Sequence, residues 1–381
     1  LNRSNFCSLA SLLLGCICAY GMLSFGVNHV EEINLEEFAL GAETTSFFPV
    51  HDGFPIHISK REEVPQWIAG WESRGERTVV LWVGNSQLHA INQASADARP
   101  ASIRVFSSLT KDDVDVLTWS VPNANPQEHF LIFESVRSML PIQQFVLPVV
   151  FDDFREVAVR SVLHPLMNES ATELALKKTE IGRKILEENK TASNDSGTDS
   201  TEQEPSLSLQ QRSEAALGSW VRDRSRLYAE RTRLRGEMFI SIYKYRNWLF
   251  GIDSQTVRKQ IPAAYKLNRD ALVALLESAA ANNIKVLVYV APLRSDITTP
   301  YDPTEYADFK SDMAKCVASH GAHFADLDSL VPGECWGQMD DIQGNGSGYD
   351  FMHFQEAGHE LLSGQIGELV SQGISEKDGK P

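Results

Sequence analysis

Near the C-terminal end of the sequence, Asp350 and His353 stand three residues apart in Asp350-Phe351-Met352-His353-Phe354-Gln355-Glu356-Ala357-Gly358-His359. A carboxylate at that spacing can accept a hydrogen bond from imidazole Nδ1. This fixes the tautomer that leaves Nε2 free to take a proton from a nucleophile. A candidate nucleophile lies far upstream. Thr78-Val79-Val80-Leu81-Trp82-Val83 reads as a buried strand running into Gly84-Asn85-Ser86-Gln87-Leu88, which places Ser86 on a strand-to-helix turn. Serine, imidazole and carboxylate together are the chemistry of acyl transfer through a covalent intermediate. Each residue also has a plainer reading: Ser86 as a helix N-cap, Asp350 as a turn residue, His353 as a contact flanking a helix. The catalytic reading rests on their conjunction within one frame.

That frame is an alternation of strands and helices. Strands are expected at Val79–Val83, Val114–Ser120, Phe145–Phe151, Lys285–Val290 and His323–Leu327, with helices over Leu88–Ala98, Pro126–Leu140, Asn268–Ala281 and Tyr306–Ser319. The pattern predicts an α/β three-layer sandwich, with a five-stranded parallel sheet between helices. Functional groups in open parallel sheets gather beyond the carboxyl ends of the strands. Ser86 follows the first strand, Asn123 and Asn125 the second, Asp152 and Asp153 the third, Arg294 and Asp296 the fourth, and a loop carrying Asp350 and His353 the fifth. His89 and His359 read as packing or helix-surface residues, while His129 opens the helix after the second strand and could line a pocket.

The chain has 381 residues, 43% hydrophobic and 23% charged, which is ordinary globular material. Its formal net charge of -16 argues against a general nucleic-acid surface. Residues 7–27 carry no charge; Arg3 precedes them and Glu31, Glu32, Glu36 and Glu37 follow. About 20 apolar residues suffice to cross a bilayer, so residues 1–27 read as a membrane anchor with the bulk of the protein extracytoplasmic. The alternatives are a cleaved signal peptide and, around Leu13-Leu14-Gly15-Cys16, a loose lipoprotein box. Residues 28–75 read as an irregular connector containing Pro49, Pro55 and Pro65. The catalytic domain is expected over 76–155 and 251–375. It is interrupted by a helical insertion, 156–250, whose stretch 188–212 is too poor in apolar groups to order. Arg222, Arg224, Arg226, Arg231, Arg233 and Arg235 in the insertion make either a solvated helix face or an anion-binding one. Cys316 and Cys335 are the cysteines outside the anchor; export would permit a disulfide between them, and two separate thiols are the other possibility. No CxxC or HExxH pattern points to zinc, and no cofactor is expected.

Gly-x-Ser after the first strand, a polar turn after the second, and Asp-x-x-His before the last helix resemble the SGNH (GDSL-like) hydrolase superfamily, whose sheet is flavodoxin-like. With the anchor, the chain is most similar to its membrane-associated branch, containing the D-alanyl transfer protein of teichoic acid synthesis and the alginate O-acetylation proteins. The resemblance covers about residues 79–155 and 265–371. It implies Ser86 as nucleophile, His353 as general base and Asp350 as its orienting carboxylate. It also implies an oxyanion hole of the nucleophile's N–H, a Gly N–H after the second strand and an Asn after the third. Here the sequence departs: Asn85 replaces the family's Asp, Asn123-Ala124-Asn125 stands in place of Gly, and Phe151-Asp152-Asp153 in place of Gly-x-Asn-Asp. Asn123 or Asn125 could supply the missing donor, whereas a carboxylate at Asp152 or Asp153 would repel an oxyanion unless turned away. Asp152, Asp153 and Arg294 are candidates for holding substrate.

The expected function is therefore an extracytoplasmic serine esterase or O-acyltransferase. Its substrate would be an acylated small molecule or cell-envelope glycan, with a membrane-bound acyl-donor protein as a possible partner. An alternative is a catalytically inactive scaffold or glycan-binding protein of the envelope, suggested by the degenerate oxyanion positions. A third is a metal-dependent phosphoesterase using Asp152, Asp153, Asp296 and Asp350.

Overall fold

The computed structural model describes residues 43–195, 256–340 and 347–378. Strands β1 (His57–Ile58), β2 (Thr78–Gly84), β3 (Val114–Ser120), β4 (Ile142–Val149), β5 (Lys285–Val290) and β6 (His323–Asp326) form one sheet. Its order is β6-β5-β4-β2-β3-β1, and every pairing is parallel. The principal helices are α1 (Val64–Ser73), α2 (Ala101–Leu109), α3 (Pro126–Arg137), α4 (Pro262–Ala281), α5 (Pro303–Ser319) and α6 (Glu356–Asp378).

The period-two alternation of strand side chains divides the core into two. Val79, Leu81 and Val83 of β2 join Val286 and Val288 of β5 under Trp67 of α1, Phe133 of α3, Leu275 of α4 and Met313 of α5. Val80, Trp82, Leu287 and Tyr289 point the other way, against Val105 and Phe106 of α2 and Leu362 and Ile366 of α6. Because helices cover both faces, these strands are apolar almost throughout rather than alternating with polar residues. Each fully buried large side chain contributes about 1.5–3 kcal/mol by leaving water. The three-layer α/β architecture is thus the one the sequence pattern specifies.

Several local expectations are corrected. Among the described residues the sheet has six strands, not five: β1 is two residues long and lies in the stretch read as a connector. Within that stretch Pro65 occupies the first turn of α1, where a missing N–H breaks no helical bond. Trp67 from the same helix packs edge-on against Trp119 of β3 with ring centroids 6.2 Å apart. The helix expected over Leu88–Ala98 is instead a short 3-10 turn, Ser86–Leu88, followed by a strand, Ala90–Asn92, that pairs antiparallel with Thr44–Ser46. Pairing overrides the helix propensity of the alanines there, and the helix proper begins only after Pro100. The Asp350/His353 segment is not a loop. It is strand β8 (Ser347–Phe354), antiparallel to β7 (Trp336–Asp340).

Beyond β4, short helices span His164–Met167, Ser170–Leu176 and Glu180–Asp195, the last running through the first residues of the stretch read as disordered. The remainder of the insertion, residues 196–250, including its arginine run, lies outside the described residues, as do the candidate anchor and residues 28–42. Among the described residues, no helix is long and apolar enough to cross a membrane. The candidate disulfide is absent. Cys316 and Cys335 are both free thiols. Cys316 is buried with the α5 residues on one face of the sheet and Cys335 packs with the cluster on the other, so the sheet separates them.

Candidate active site

The site is built on the turn that ends β2. The Gly84 carbonyl accepts the Val121 N–H at 3.0 Å. A Cβ on Gly84 would lie 2.5 Å from Leu88 Cδ1 and 3.0 Å from Pro148 Cγ, so glycine here lets those two side chains close against the turn. Asn85 is the cap: its Oδ1 accepts the Gln87 N–H at 3.0 Å, and its Nδ2 donates to Asp153 Oδ2 at 2.9 Å. The capping role that Ser86 could have filled therefore belongs to its neighbour. Ser86 Oγ instead meets His353 Nε2 at 2.9 Å. Because Ser86 opens the 3-10 turn, its own N–H has no partner within that turn.

On β8, His353 Nδ1 lies 3.0 Å from Asp350 Oδ2. Asp350 Oδ1 accepts the N–H groups of Met352 at 2.8 Å and His353 at 2.9 Å. Burial pushes the Asp350 carboxyl up, but the adjacent His353 and these hydrogen bonds outweigh it and hold the group below its ordinary range. An ionised Asp350 accepts from Nδ1–H, which leaves Nε2 as the acceptor facing the Ser86 hydroxyl. Ser86, Asp350 and His353 are 4%, 2% and 7% exposed, so these bonds act largely out of water.

Three supports were not read as such from the sequence. Gln87 Nε2 donates to the Pro292 carbonyl at 2.9 Å and the Met352 carbonyl at 3.0 Å, tying the nucleophile turn to the strand of the histidine. Asn92 Nδ2 reaches Asp350 Oδ2 at 3.3 Å. Arg294, a candidate substrate residue, is a brace: Nη1 donates to the carbonyls of Gly337 at 2.7 Å and Asp350 at 3.3 Å, while Nε and Nη2 pair with Asp296. Its guanidinium also stacks over Tyr349, 4.6 Å from the ring centroid. The turn glutamine had a sequence signal in its place beside Ser86. Asn92 had none, because its strand reads as helix.

The other rim candidates do not converge on Ser86. Asn125 caps α3, its Oδ1 accepting the Glu128 N–H at 3.1 Å while its Nδ2 donates to Ala158 O at 2.8 Å. Glu128 returns the bond to the Asn125 N–H, completing a capping box, and pairs with Arg160. Asn123 is exposed, in the left-handed region at φ 52°, and with Asn125, Glu128 and Arg160 it borders a cavity of about 270 Å³ that no triad residue lines. Asp152 is held by Arg155, Arg258 and the Tyr301 hydroxyl. Of these carboxyl groups, Asp153 reaches the nucleophile turn, through Asn85. Burial raises its carboxyl well above the ordinary range; the Asn85 bond and Arg160 oppose that, while Asp152 and Glu128 add to it. His129 is buried, and burial carries it down to about 3 against an opposing contact with the Gly84 backbone. His89 bonds Ser120 Oγ at 2.6 Å and His359 bridges Ala101 N–H and Ala90 O, both as buried packing residues. Among the described residues, no group of His, Cys, Asp or Glu is arranged to hold a metal. The four aspartates of the phosphoesterase alternative each have a different partner.

No known protein family matches the sequence, and neither does any curated protein. Among solved structures, the chain is similar to a candidate acylhydrolase from Bacteroides fragilis NCTC 9343. The identity is 11% and the TM-score 0.35, over 77% of this chain and 87% of that one. A likeness that distant transfers no activity.

Proposed function

We propose that this chain is a serine esterase or O-acyltransferase working through an acyl-enzyme on Ser86. The observation that carries the reading is the continuous path from Ser86 Oγ to His353 Nε2 at 2.9 Å and from His353 Nδ1 to Asp350 Oδ2 at 3.0 Å, joining residues 267 positions apart in the chain. His353 takes the hydroxyl proton as Ser86 Oγ attacks the acyl carbonyl, and Asp350 stabilises the imidazolium. The donor assigned to the oxyanion is the Ser86 N–H, unpartnered within its turn. Collapse breaks the ester bond, and His353 returns its proton to the departing alkoxide. The second half repeats the sequence with water, giving a hydrolase, or with a sugar hydroxyl, giving a transferase.

The acceptor we favour is a cell-envelope carbohydrate, with the domain outside the cytoplasm and acyl groups supplied by a membrane-bound partner. This part rests on the uncharged run at residues 7–27, its flanking charges, and the resemblance to the membrane-associated SGNH branch. The test is reaction of the full chain with a fluorophosphonate and with p-nitrophenyl acetate, the adduct being located by peptide mass spectrometry. A mark on Ser86 in the wild type, absent from Ser86→Ala, is expected. A folded wild type that acquires no mark would overturn the reading in favour of an inactive envelope scaffold.

A further inference from the structure

Asn92 is fully buried, and its amide contacts three parts of the chain. Nδ2 donates to Thr44 Oγ1 at 3.0 Å, Gln338 O at 2.7 Å and Asp350 Oδ2 at 3.3 Å, while Oδ1 accepts the Gln338 N–H at 3.2 Å. The paired hydrogen bonds to the Gln338 backbone, one donated and one accepted, imitate a strand pairing and fix β7 to the Ala90–Asn92 strand. The neighbouring Gly337 fits this contact: a Cβ there would fall 1.6 Å from Asn92 Oδ1. Asp350 is thus tethered twice from outside its own strand, at its carbonyl by Arg294 and at Oδ2 by Asn92. Oδ2 is the oxygen that faces His353 Nδ1, and Oδ1 is already taken by the two backbone N–H groups.

We infer that Asn92 is a positioning residue for the candidate triad, holding Asp350 Oδ2 in the line of His353 and locking β7 and β8 beside the nucleophile turn. The inference rests on the catalytic reading of Ser86. The amide has two hydrogens for three acceptors, so its bond to Asp350 is shared. Its effect is accordingly modest, about tenfold in rate, below the range for an unshared bond to a charged group.

The test is the pH dependence of fluorophosphonate labelling at Ser86 in the full chain, with a thermal melt of each variant to establish folding. Asn92→Ala slows labelling about tenfold while Ser86 remains the marked residue. Asn92→Asp places a second carboxyl against Asp350; two carboxyls buried side by side share one proton, so the pH dependence of labelling changes as well as its rate. A contact that served only stability would lower the melts yet leave the folded variants with the wild-type labelling profile, and that result would overturn the inference. Thr44→Val keeps the question answerable if both Asn92 variants lose the fold. It frees one amide hydrogen for Asp350, so labelling rises about two- to threefold, and an unchanged or lower rate counts against the role. A wild type that is never labelled at Ser86 removes the catalytic reading itself and this inference with it. Normal labelling in the wild type with insensitive variants removes only this one.

Discussion

Along the rim of the sheet, the two sides of the candidate site differ in what their polar groups bind. On the side of Ser86, His353 and Asp350, the side chains face one another and are braced from behind by Gln87, Asn92 and Arg294. On the side of Asn125, Asp152 and Glu128, the side chains hold the protein together: a capping box on α3, an ion pair to Arg160, and a carboxylate held by Arg155, Arg258 and Tyr301. Both sides carry residue types that suit catalysis, so residue type does not separate them. What separates them is what the polar atoms bind: a hydroxyl, an imidazole and a carboxylate in line on the first side, caps and ion pairs on the second. The difference also answers the electrostatic objection to carboxylates beside an oxyanion. Asp152 is neutralised by its arginines, and burial favours the protonated form of Asp153.

The largest expected effect breaks the first side alone. Asp350→Asn replaces the acceptor for Nδ1–H and lets His353 adopt the tautomer that points a proton at Ser86. Esterase activity falls by about three to four orders of magnitude, while the melting temperature changes little relative to that loss. A loss below about tenfold would show that His353 keeps its orientation without the carboxylate, and the triad would not be the working unit.

A smaller effect, in a different measurement, comes from the other side. Asn125→Ala removes the N-cap of α3 and the bond to Ala158, so stability falls by about 1–2 kcal/mol in chemical denaturation. Activity of the folded protein changes by less than about threefold. A loss of two orders of magnitude in kcat with stability preserved would instead make Asn125 an oxyanion donor, since that is the loss expected from removing one, and the comparison between the two sides would fail.

The sequence carried the frame because a parallel sheet covered on both faces writes itself as uninterrupted runs such as Val79-Val80-Leu81-Trp82-Val83, and that frame is what gave Ser86 and the Asp350/His353 pair their meaning. It did not carry β1 or the Ala90–Asn92 strand. Two or three residues give no periodicity to read, and these strands exist only through their partners, β3 and Thr44–Ser46. The same limit hid Asn92, which matters through contacts to residues 44, 338 and 350. Arg294 was legible as a rim residue but not as a brace, since a guanidinium beyond a strand end looks alike whether it meets a substrate or a backbone carbonyl. The possible disulfide failed for a comparable reason: nineteen positions of separation do not say on which side of a sheet each sulfur lies.

The finest distinction concerns Asp153, the one carboxyl of the second side that touches the first. Its partner is the uncharged Asn85 amide, and the closest carboxylates, Asp152 and Glu128, oppose its ionisation while Arg160 is engaged by Glu128. In the folded state its proton is held more tightly than in the unfolded chain. The stability this contributes is present below the ordinary carboxylate value of about 3.9 and is lost as pH rises toward the folded value. Asparagine at this position keeps an oxygen for the Asn85 amide and cannot ionise. Asp153→Asn therefore matches the wild type near pH 4 and becomes progressively more stable than it as pH rises toward 8, by a few degrees in melting temperature. His89, His129 and His359, which burial holds neutral down to about 3, weaken both proteins alike as pH falls below 6.5, so they cancel from the difference. A difference that stayed constant from pH 4 to 8 would mean that Asp153 carries its charge in the folded protein. The nucleophile turn would then stand beside an anion, which would disfavour an oxyanion forming at Ser86.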